Sequence, residues 1–430
     1  MELDKLDLEN LKYSLFLKRR FWPIFVATFL GAFNDNLLRS GLIVLIAYSA
    51  QKGITLPTSP EILVTICSAL LVVPIFIFSS LAGSLADKHE KSRLVVFTKC
   101  AELLIMAGAF YGFATNNIYL LMVLLFFSGT HTAFYSPIKF SILPDHLQSG
   151  ELLAGNGFMA GGSYLAVLMG AVAGGLLVEM PDNAIGYAAV ILALIGFIAS
   201  LFIPASTRAN PDGHIDLNLW RGTCDIIKYA WADKKALHTI FALSWIMLVS
   251  FMYMSQFANY AQSVMQANNE VYILFLTLFS VGIAIGSILC DTLLKGEISA
   301  KLTPYAALGI TIFTCVMVFA TSQPEHEGLL DITAFLNSTH AWPVIGSMLM
   351  VAICGGIYMV PLYALLQSRA EDQFRSRVIA ASNMSDSIFM TLAALVSALL
   401  LLAGLTIKDL FLLVAALNLM VVWYARKLDS

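Results

Sequence analysis

The chain is short of charged residues. Only 12% of its 430 residues are Asp, Glu, Lys or Arg, whereas soluble domains carry roughly 25%. Hydrophobic residues make up 59%, and the mean hydropathy is +0.80. This composition predicts an integral membrane protein and gives no indication of nucleic-acid binding. The net charge of −3 decides little, because in a membrane protein the placement of Lys and Arg carries the information.

Cysteine is also scarce, and its spacing forms no pattern. Five of the six cysteines lie in apolar stretches: Cys67, Cys100, Cys290, Cys315 and Cys354. The sixth, Cys224, lies in a polar segment. No pair has the spacing of a metal site or a disulfide framework. The sequence also lacks the G-x4-G-K-[ST] loop that cradles nucleotide phosphates. We therefore expect no metal, no cofactor and no ATP-driven pumping.

Long hydrophobic runs are what the chain has in abundance. A membrane-spanning helix needs about 20 apolar residues, and windows of that length predict twelve helices, near 21–48, 61–85, 94–115, 118–141, 152–178, 184–204, 236–264, 271–294, 302–322, 341–366, 377–403 and 406–425. The longest polar break divides them six plus six. We predict an all-α integral membrane protein with an N-terminal segment at 1–20, six-helix bundles at 21–204 and 236–430, and a linker at 205–235.

Basic residues predict the orientation of these helices. If both termini are cytoplasmic, that side holds twenty of the 25 basic residues: Lys5, Lys12, Lys18, Arg19, Arg20, Lys88, Lys91, Arg93, Arg208, Arg221, Lys228, Lys234, Lys235, Lys295, Lys301, Arg369, Arg375, Arg377, Arg426 and Lys427. The opposite side holds only Lys52 and Lys408, and Arg39, Lys99 and Lys139 fall within helices or at their edges. Because cytoplasmic loops are enriched in Lys and Arg, both termini are predicted to be cytoplasmic.

A polar cluster interrupts the first hydrophobic run. Asn34, Asp35 and Asn36, with Arg39 one turn later, lie between two uncharged stretches. A carboxylate near the middle of a bilayer costs about 3 kcal/mol on insertion scales, and such residues usually face a bundle interior or a water-filled path. Asp35 is therefore a candidate ligand for a cationic headgroup or a protonatable switch. The alternative is a structural pair with Arg39 at i+4.

The segment from Gly83 to Arg93, GSLADKHEKSR, lies between the second and third predicted helices. Gly83 permits close helix approach, Asp87 can face the positive N-terminal end of a helix, and Lys88 and Arg93 favour the cytoplasmic side. The segment resembles the signature of the major facilitator superfamily, and with twelve helices in a six-plus-six arrangement it implies that fold. We expect Gly83, Asp87, Lys88 and Arg93 to form a conformational switch.

Three further segments narrow the resemblance. The stretches 29–38 (FLGAFNDNLL), 99–106 (KCAELLIM) and 133–144 (AFYSPIKFSILP), extended by 355–367 and 377–381, resemble the bacterial lysophospholipid transporter family. Helices six to nine match it only in hydropathy. The chain departs from the family's pattern at two places: residues 157–163 lack the carboxylate common in the family, and the run 249–260 lacks a charge that some members carry.

The resemblance implies a function. Such proteins are similar to flippases that move lyso-phosphatidylethanolamine and related lysolipids from the outer to the inner leaflet of the bacterial inner membrane by alternating access. The expected functional partner is an acyltransferase and acyl-carrier-protein synthetase that restores the second chain. The protein is expected to be a monomer among membrane lipids, with a midplane site built from helices one, four, seven, ten and eleven. The alternatives are a facilitator of another amphiphile, a drug, a siderophore or a metal chelate, and a scaffold without transport.

Two residues of the fourth helix are candidates for substrate binding. Lys139 could bind a phosphate or could anchor the end of the helix in the cytoplasm. His131, eight residues earlier on the same face, could add a donor or could be a satisfied core histidine. Lys99 and Glu102, at i and i+3, are predicted to form a pair within the third helix, near the membrane surface.

The second half offers four more candidates. Asn383 and Asp386 lie one turn apart and can share a face of helix eleven, where they could touch substrate or hold the halves together. Tyr253 and Gln256 belong to a stripe on helix seven, with Phe257 and Tyr260. This stripe could line a cavity beside an acyl chain or could be ordinary helix packing.

An enzymatic interpretation has one motif in its favour. His326 and Asp331 have the H-x4-D spacing of glycerolipid acyltransferases, in which the histidine acts as general base and the aspartate orients it. The pattern is short and lies in a loop predicted to face away from the cytoplasm, where acyl donors are found. We therefore expect that the protein is not an enzyme and has no catalytic residue.

Overall fold

The computed structural model describes residues 15, 18–47, 60–206, 234–321 and 329–425. Within these ranges the regular structure is helical, apart from an isolated bridge between Ala267 and Leu330. His326 of the acyltransferase-like pattern, most of the linker 205–235 and most of the first twenty residues lie outside the described residues.

Twelve long helices in the described ranges match the twelve predicted runs. They are α1 (Trp22–Ala47), α2 (Pro60–Lys88), α3 (Lys91–Ala114), α4 (Ile118–Ser141), α5 (Leu152–Leu177), α6 (Ala184–Ser200), α7 (Lys234–Asn259), α8 (Asn269–Leu294), α9 (Thr303–Ala320), α10 (Ala341–Arg369), α11 (Arg375–Leu402) and α12 (Ile407–Ala425). Eleven of them contain a stretch long and apolar enough to cross a membrane, and α6, with 17 residues, is a shorter apolar helix. The prediction of an all-helical membrane protein is confirmed.

Short helical turns join several of the long helices. They are Leu143–His146 and the 3-10 turn Asp372–Phe374, the π-helical turn Tyr260–Val264 that continues α7, and Ile332–Asn337 before α10. Polar caps set some boundaries. The Asn117 side chain accepts a hydrogen bond from the Leu120 N–H at the start of α4, and Thr406 and Asp409 bond each other's backbone N–H before α12. Such caps satisfy N–H groups that have no partner within the helix.

The chain folds into two compact units. The first comprises Met1–Gly155, Leu165–Asp233 and Gln367–Met384, and the second comprises Asn156–Tyr164, Lys234–Leu366 and Ser385–Ser430. Part of α5 therefore groups with the second unit, and the start of α11 groups with the first.

Glycines bring α5 directly against α1 in the first unit. A Cβ atom added to Gly170 would lie 3.0 Å or less from the Phe33 carbonyl group, and one added to Gly174 would lie 3.0 Å from the Leu37 Cα atom. Small residues of this kind allow helix backbones to approach closely in membranes. This packing fixes the helix turn that carries Asn34 and Asp35.

Gly170→Ala is expected to destabilise the protein, because the added methyl group meets backbone atoms that cannot move aside. Overpacking of this kind typically costs about 1–3 kcal/mol. Gly346→Ala is the matched control, since a Cβ atom at Gly346 meets nothing within 4 Å. Thermal unfolding in detergent should show a lower midpoint for Gly170→Ala than for Gly346→Ala. Equal midpoints would contradict the close packing of α1 and α5.

An aromatic cluster fills the second unit where α7 meets α8 and α12. Tyr253 packs against Phe411 with ring centroids 4.8 Å apart, and Phe257 packs against Phe279 at 5.3 Å. Tyr260 lies over Phe411 at 5.4 Å. All five rings are buried. Their packing holds α7 and the turn that continues it against α8 and α12.

Candidate functional site

Asp35 lies in a polar environment formed by α4. Its carboxylate accepts hydrogen bonds from the hydroxyl groups of Ser128 and Thr132, and the Thr132 Oγ1 atom lies 2.6 Å from Asp35 Oδ2. The two hydroxyl-bearing residues are one turn apart on α4, so they hold both carboxylate oxygens. Asp35 itself is only partly buried. The carboxylate is therefore oriented by neutral donors and keeps some surface accessible.

A second group of charged residues is enclosed beside Asp35. Lys99 and Glu102 on α3 are 0% and 1% exposed, and His131 on α4 is 6% exposed. The Lys99 Nζ atom lies 2.6 Å from Glu102 Oε2, and the His131 Nε2 atom lies 3.6 Å from the same oxygen. Asn34 donates to Glu102 Oε1 at 3.3 Å. We call Asn34, Asp35, Lys99, Glu102 and His131 the Glu102 cluster.

The structure confirms the predicted pairing of Lys99 with Glu102. Both side chains are enclosed, and Glu102 faces Asn34 on α1 and His131 on α4. The position of the pair near the membrane surface stays a prediction. The Lys99 ammonium also lies 4.7 Å from the centroid of the Tyr135 ring. The i, i+3 spacing could reveal the pair but not which neighbouring helices cover it.

Breaking this ion pair on one side is expected to cost more than removing it altogether. Lys99→Met leaves the Glu102 carboxylate buried without its cation, and loss of one partner of a buried pair typically costs about 3–5 kcal/mol. The double variant Lys99→Met with Glu102→Leu removes both charges and should recover most of the lost stability. Thermal unfolding of the two variants in detergent measures the difference. A double variant no more stable than Lys99→Met would contradict this assignment.

Three other predicted residues lie near this cluster. Asn36 donates to the Ala32 carbonyl of its own helix at 2.9 Å, and Arg39 is partly buried one turn after Asp35. Lys139 lies in the last turn of α4, with its ammonium 4.9 Å from the Phe140 ring centroid. Lys139 is within electrostatic range of Asp35.

The second unit has its own buried carboxylate. Asp386 on α11 accepts a hydrogen bond from Ser244 on α7 at 2.7 Å, and the Ser244 hydroxyl also lies 2.7 Å from that of Ser385. Tyr363 on α10 is buried within electrostatic range of Asp386 and of Tyr164 on α5. Acid, hydroxyl and phenol groups from four helices therefore lie close together.

Asn383 lies on α11 one turn before Asp386, as predicted, and is also buried. The boundary between the two units falls after Met384, so Asn383 groups with the first unit and Asp386 with the second. A shared role of Asn383 and Asp386 stays a prediction.

The predicted stripe on α7 forms part of the packed interior of the second unit. The Tyr253 hydroxyl bonds to Thr314 on α9, and the Tyr260 hydroxyl bonds to Thr321 at 2.7 Å. Gln256 is buried and accepts a hydrogen bond from Asn259 at 3.1 Å. These contacts favour ordinary helix packing for Tyr253, the alternative that the sequence left open. The physical reason is that aromatic rings at helical spacing pack as well against neighbouring helices as against an acyl chain.

Asp87 connects the end of α2 with the start of α11. Its buried carboxylate accepts hydrogen bonds from the backbone N–H groups of Ser376 and Arg377, at 2.8 and 3.2 Å. The Arg377 Nε atom lies 3.7 Å from Asp87 Oδ2. Carboxylates at helix N-termini are favoured because unpaired N–H groups and the helix dipole attract them. Gly83 allows this contact, since a Cβ atom there would lie 2.8 Å from the Ala380 Cβ atom.

Ion pairs around Asp145 reinforce the same place. The buried Lys91 ammonium lies 2.7 Å from Asp145 Oδ2 and donates to the Ser141 carbonyl at 3.2 Å. Arg375 bonds Asp145 at 3.3 Å and also pairs with Asp372. Together with Asp87, Ser376 and Arg377, these residues form what we call the Asp87 network.

Two residues of the predicted switch lie outside the contacts of the Asp87 network. The Arg93 side chain is 80% exposed and pairs with Glu90 three residues earlier, at 2.7 Å. Lys88 is partly exposed at the end of α2. Gly83 and Asp87 are the members that the structure brings against another helix.

Polar groups enclosed in long apolar helices, in two compact units, are typical of a multi-pass membrane transporter. The comparisons identify the family. Residues 24–337 match the family model of the Major Facilitator Superfamily. The chain therefore belongs to the major facilitator superfamily.

Curated relatives are similar along most of the chain. Proteins from Shigella boydii serotype 4 (strain Sb227) and from Escherichia coli O157:H7 (strain EC4115 / EHEC) are each 26% identical over 390 residues, which cover 89% of both chains. Both bear the name Lysophospholipid transporter LplT.

Solved structures share the fold. The human organic anion transporter MFSD10 aligns with a TM-score of 0.73 at 12% identity, over 95% of this chain and 99% of that one. The E. coli fucose:proton symporter FucP aligns with a TM-score of 0.67 at 13% identity, over 94% and 98%. These likenesses concern the fold alone.

Proposed function

We propose that this protein transports lysophospholipids, with lyso-phosphatidylethanolamine as its main substrate, from the outer to the inner leaflet of a bacterial inner membrane. The observation that carries the substrate class is the similarity, over 89% of both chains, to proteins named as lysophospholipid transporters. The geometry adds side chains whose chemistry suits a zwitterionic headgroup. Both termini are cytoplasmic in this proposal, as the distribution of Lys and Arg predicts.

The headgroup has one cationic and one anionic part, which need separate partners. Asp35, held by Ser128 and Thr132 with part of its surface accessible, is suited to the ammonium group. Lys139, within electrostatic range of Asp35, is suited to the phosphate. Charges that are buried without partners are costly, so the substrate's own charges stabilise a site that already holds one charge of each sign.

Transport by alternating access requires contacts that form in one state and break in another. The Asp87 network is suited to this role, because it joins α2, the end of α4 and the start of α11 by ion pairs and backbone hydrogen bonds. We assign it to the closed cytoplasmic end. When that end opens, these polar groups become exposed to water, which solvates them. The network can therefore break at little cost in free energy.

The expected partner is an acyltransferase and acyl-carrier-protein synthetase, which consumes the delivered lysolipid by restoring its second chain. The transporter itself acts as a monomer in this proposal. No catalytic role is assigned to the chain.

A competition assay tests the substrate class. Proteoliposomes containing the protein should take up labelled lyso-phosphatidylethanolamine, and unlabelled lysolipids should compete for uptake. Organic anions, drugs and metal chelates should not compete. Uptake that is inhibited by a drug or chelate but not by lysolipids would favour a facilitator of that other substrate and overturn the proposal.

A further inference from the structure

His131 is the least satisfied member of the Glu102 cluster. Among the described residues, neither ring nitrogen has a hydrogen-bond partner, although the side chain is enclosed. The Nε2 atom lies 3.6 Å from Glu102 Oε2, which is too long for a strong hydrogen bond but close enough for an ion pair once the ring carries a proton. A buried imidazole beside a carboxylate can gain or lose a charge near neutral pH.

The surroundings of His131 contain several charged and titratable groups. From α3 it faces Glu102 and Lys99, and from α1 Asp35 lies within electrostatic range. On its own helix the Tyr135 ring stacks on it, with centroids 5.8 Å apart. On the α6 side, Asn34 bonds the Ala189 carbonyl, a neutral group. Arg39 and Lys139 are only partly buried at the edges of this region.

We propose that His131 is a proton-binding site and that the protein exchanges this proton for the ammonium group of its substrate. The inference rests on the proposed lysolipid substrate and adds proton exchange to it. The geometry that supports it is the juxtaposition of an unpartnered imidazole, a carboxylate shared with Lys99 and the neighbouring carboxylate of Asp35.

A count of charges shows why proton and ammonium should compete. With a neutral imidazole, Lys99, Glu102 and Asp35 together carry one net negative charge. A proton on His131 brings the cluster to neutrality, and so does an ammonium group beside Asp35. Both together would leave an excess positive charge in a region that is poorly solvated, which is costly. In the proposed site the headgroup phosphate pairs with Lys139, and Arg39 and Lys139 carry their charges in both states, so none of these groups removes the local repulsion between the ammonium group at Asp35 and a protonated His131.

The exchange step is simple in its chemistry. As the ammonium group approaches Asp35, the imidazolium N–H bond of His131 breaks, the electron pair stays on nitrogen and the proton passes to water. When the headgroup leaves, a proton from water binds the same nitrogen. Neither oxidation nor any other covalent change takes part.

Proton release on substrate binding tests this inference directly. Purified protein in weakly buffered detergent solution receives lyso-phosphatidylethanolamine at several values between about pH 5 and 8, the range in which histidine titrates. A pH-indicator dye measures proton release, and a separate binding measurement establishes occupancy. We expect release of up to about one proton per bound lysolipid at the acidic end, where the imidazole carries a proton. Lysophosphatidylglycerol, which lacks the ammonium group, should bind without releasing a proton.

Variants assign the proton to His131. In His131→Gln, the number of protons released per bound lyso-phosphatidylethanolamine, with occupancy measured separately, should fall to zero. His340→Gln, which changes an exposed histidine bonded to the Ala320 carbonyl, should release protons as the wild type does. Wild-type binding without proton release at any pH would overturn the inference and leave the proposed function standing. Release that persists in His131→Gln would also overturn it. Failure of the wild type to bind any lysolipid would overturn the proposed function and this inference together.

Discussion

Asp35→Asn is expected to reduce uptake of lyso-phosphatidylethanolamine by about 10- to 100-fold, because a hydrogen bond to a charged group contributes about 1.5–3 kcal/mol and tenfold corresponds to about 1.4 kcal/mol. The amide retains the shape of the carboxylate. Its oxygen can still accept from Ser128 or Thr132, so the fold should be kept, whereas the negative charge that attracts the headgroup ammonium is lost. Initial rates of uptake into proteoliposomes, with the amount of inserted protein measured, provide the comparison.

Asp182→Asn serves as the control for charge loss. Asp182 is exposed in a turn, with φ of 60°, a conformation that asparagine adopts readily. Its uptake should match that of the wild type. If well-folded Asp35→Asn protein transports as fast as Asp182→Asn protein, Asp35 does not bind the headgroup and its role is structural.

Asp87→Ala is the second change with a large expected effect. It removes the acceptor of the Ser376 and Arg377 N–H groups at the start of α11 and the anion beside the Arg377 side chain. Leaving buried donors without partners costs about 1–3 kcal/mol, which corresponds to a change of about 5- to 150-fold in a two-state equilibrium. We expect the contact between α2 and α11 to open more often. Because the state in which this contact is closed is then less populated, transport should slow.

A cysteine at Ala380 would report this opening, because Ala380 is fully buried and would contact any side chain atom added at Gly83. In an Ala380→Cys background, Asp87→Ala should increase labelling by a membrane-impermeant maleimide applied from the cytoplasmic side. Glu297→Ala, which removes an exposed carboxylate that pairs with Lys301 on the surface, is the control. Labelling and transport that are the same in both variants would refute the switch role of Asp87.

The hydropathy pattern alone predicts most of the fold. Each of the twelve long helices falls on a predicted run, because in a bilayer an apolar stretch of sufficient length satisfies its backbone only as a helix. The assignment of part of α5 and of the start of α11 to the other half's unit was not predictable in this way. It depends on contacts between residues far apart in the sequence, such as Asp87 with Ser376, that no local pattern encodes.

The candidate site was predicted less completely. Asp35 stood out because its charge interrupts an apolar run, and Lys99 with Glu102 stood out by spacing. Ser128 and Thr132 gave no signal, since small hydroxyl residues are common in membrane helices, where they bond to their own backbone. Tyr164 and Tyr363 lie in apolar runs, so the sequence pattern did not distinguish them from ordinary core residues. Lys91 and Arg375 were assigned to loops by their charge, and only the fold shows that both bond to Asp145.

The most direct test of the account is the movement of lyso-phosphatidylethanolamine between leaflets. Labelled lysolipid is added to the outside of proteoliposomes, and albumin then extracts what remains in the outer leaflet. Vesicles with the wild-type protein should protect a growing fraction from extraction, whereas vesicles with Asp35→Asn protein should resemble protein-free vesicles. A wild-type protein that protects no more lysolipid than protein-free vesicles would contradict the account.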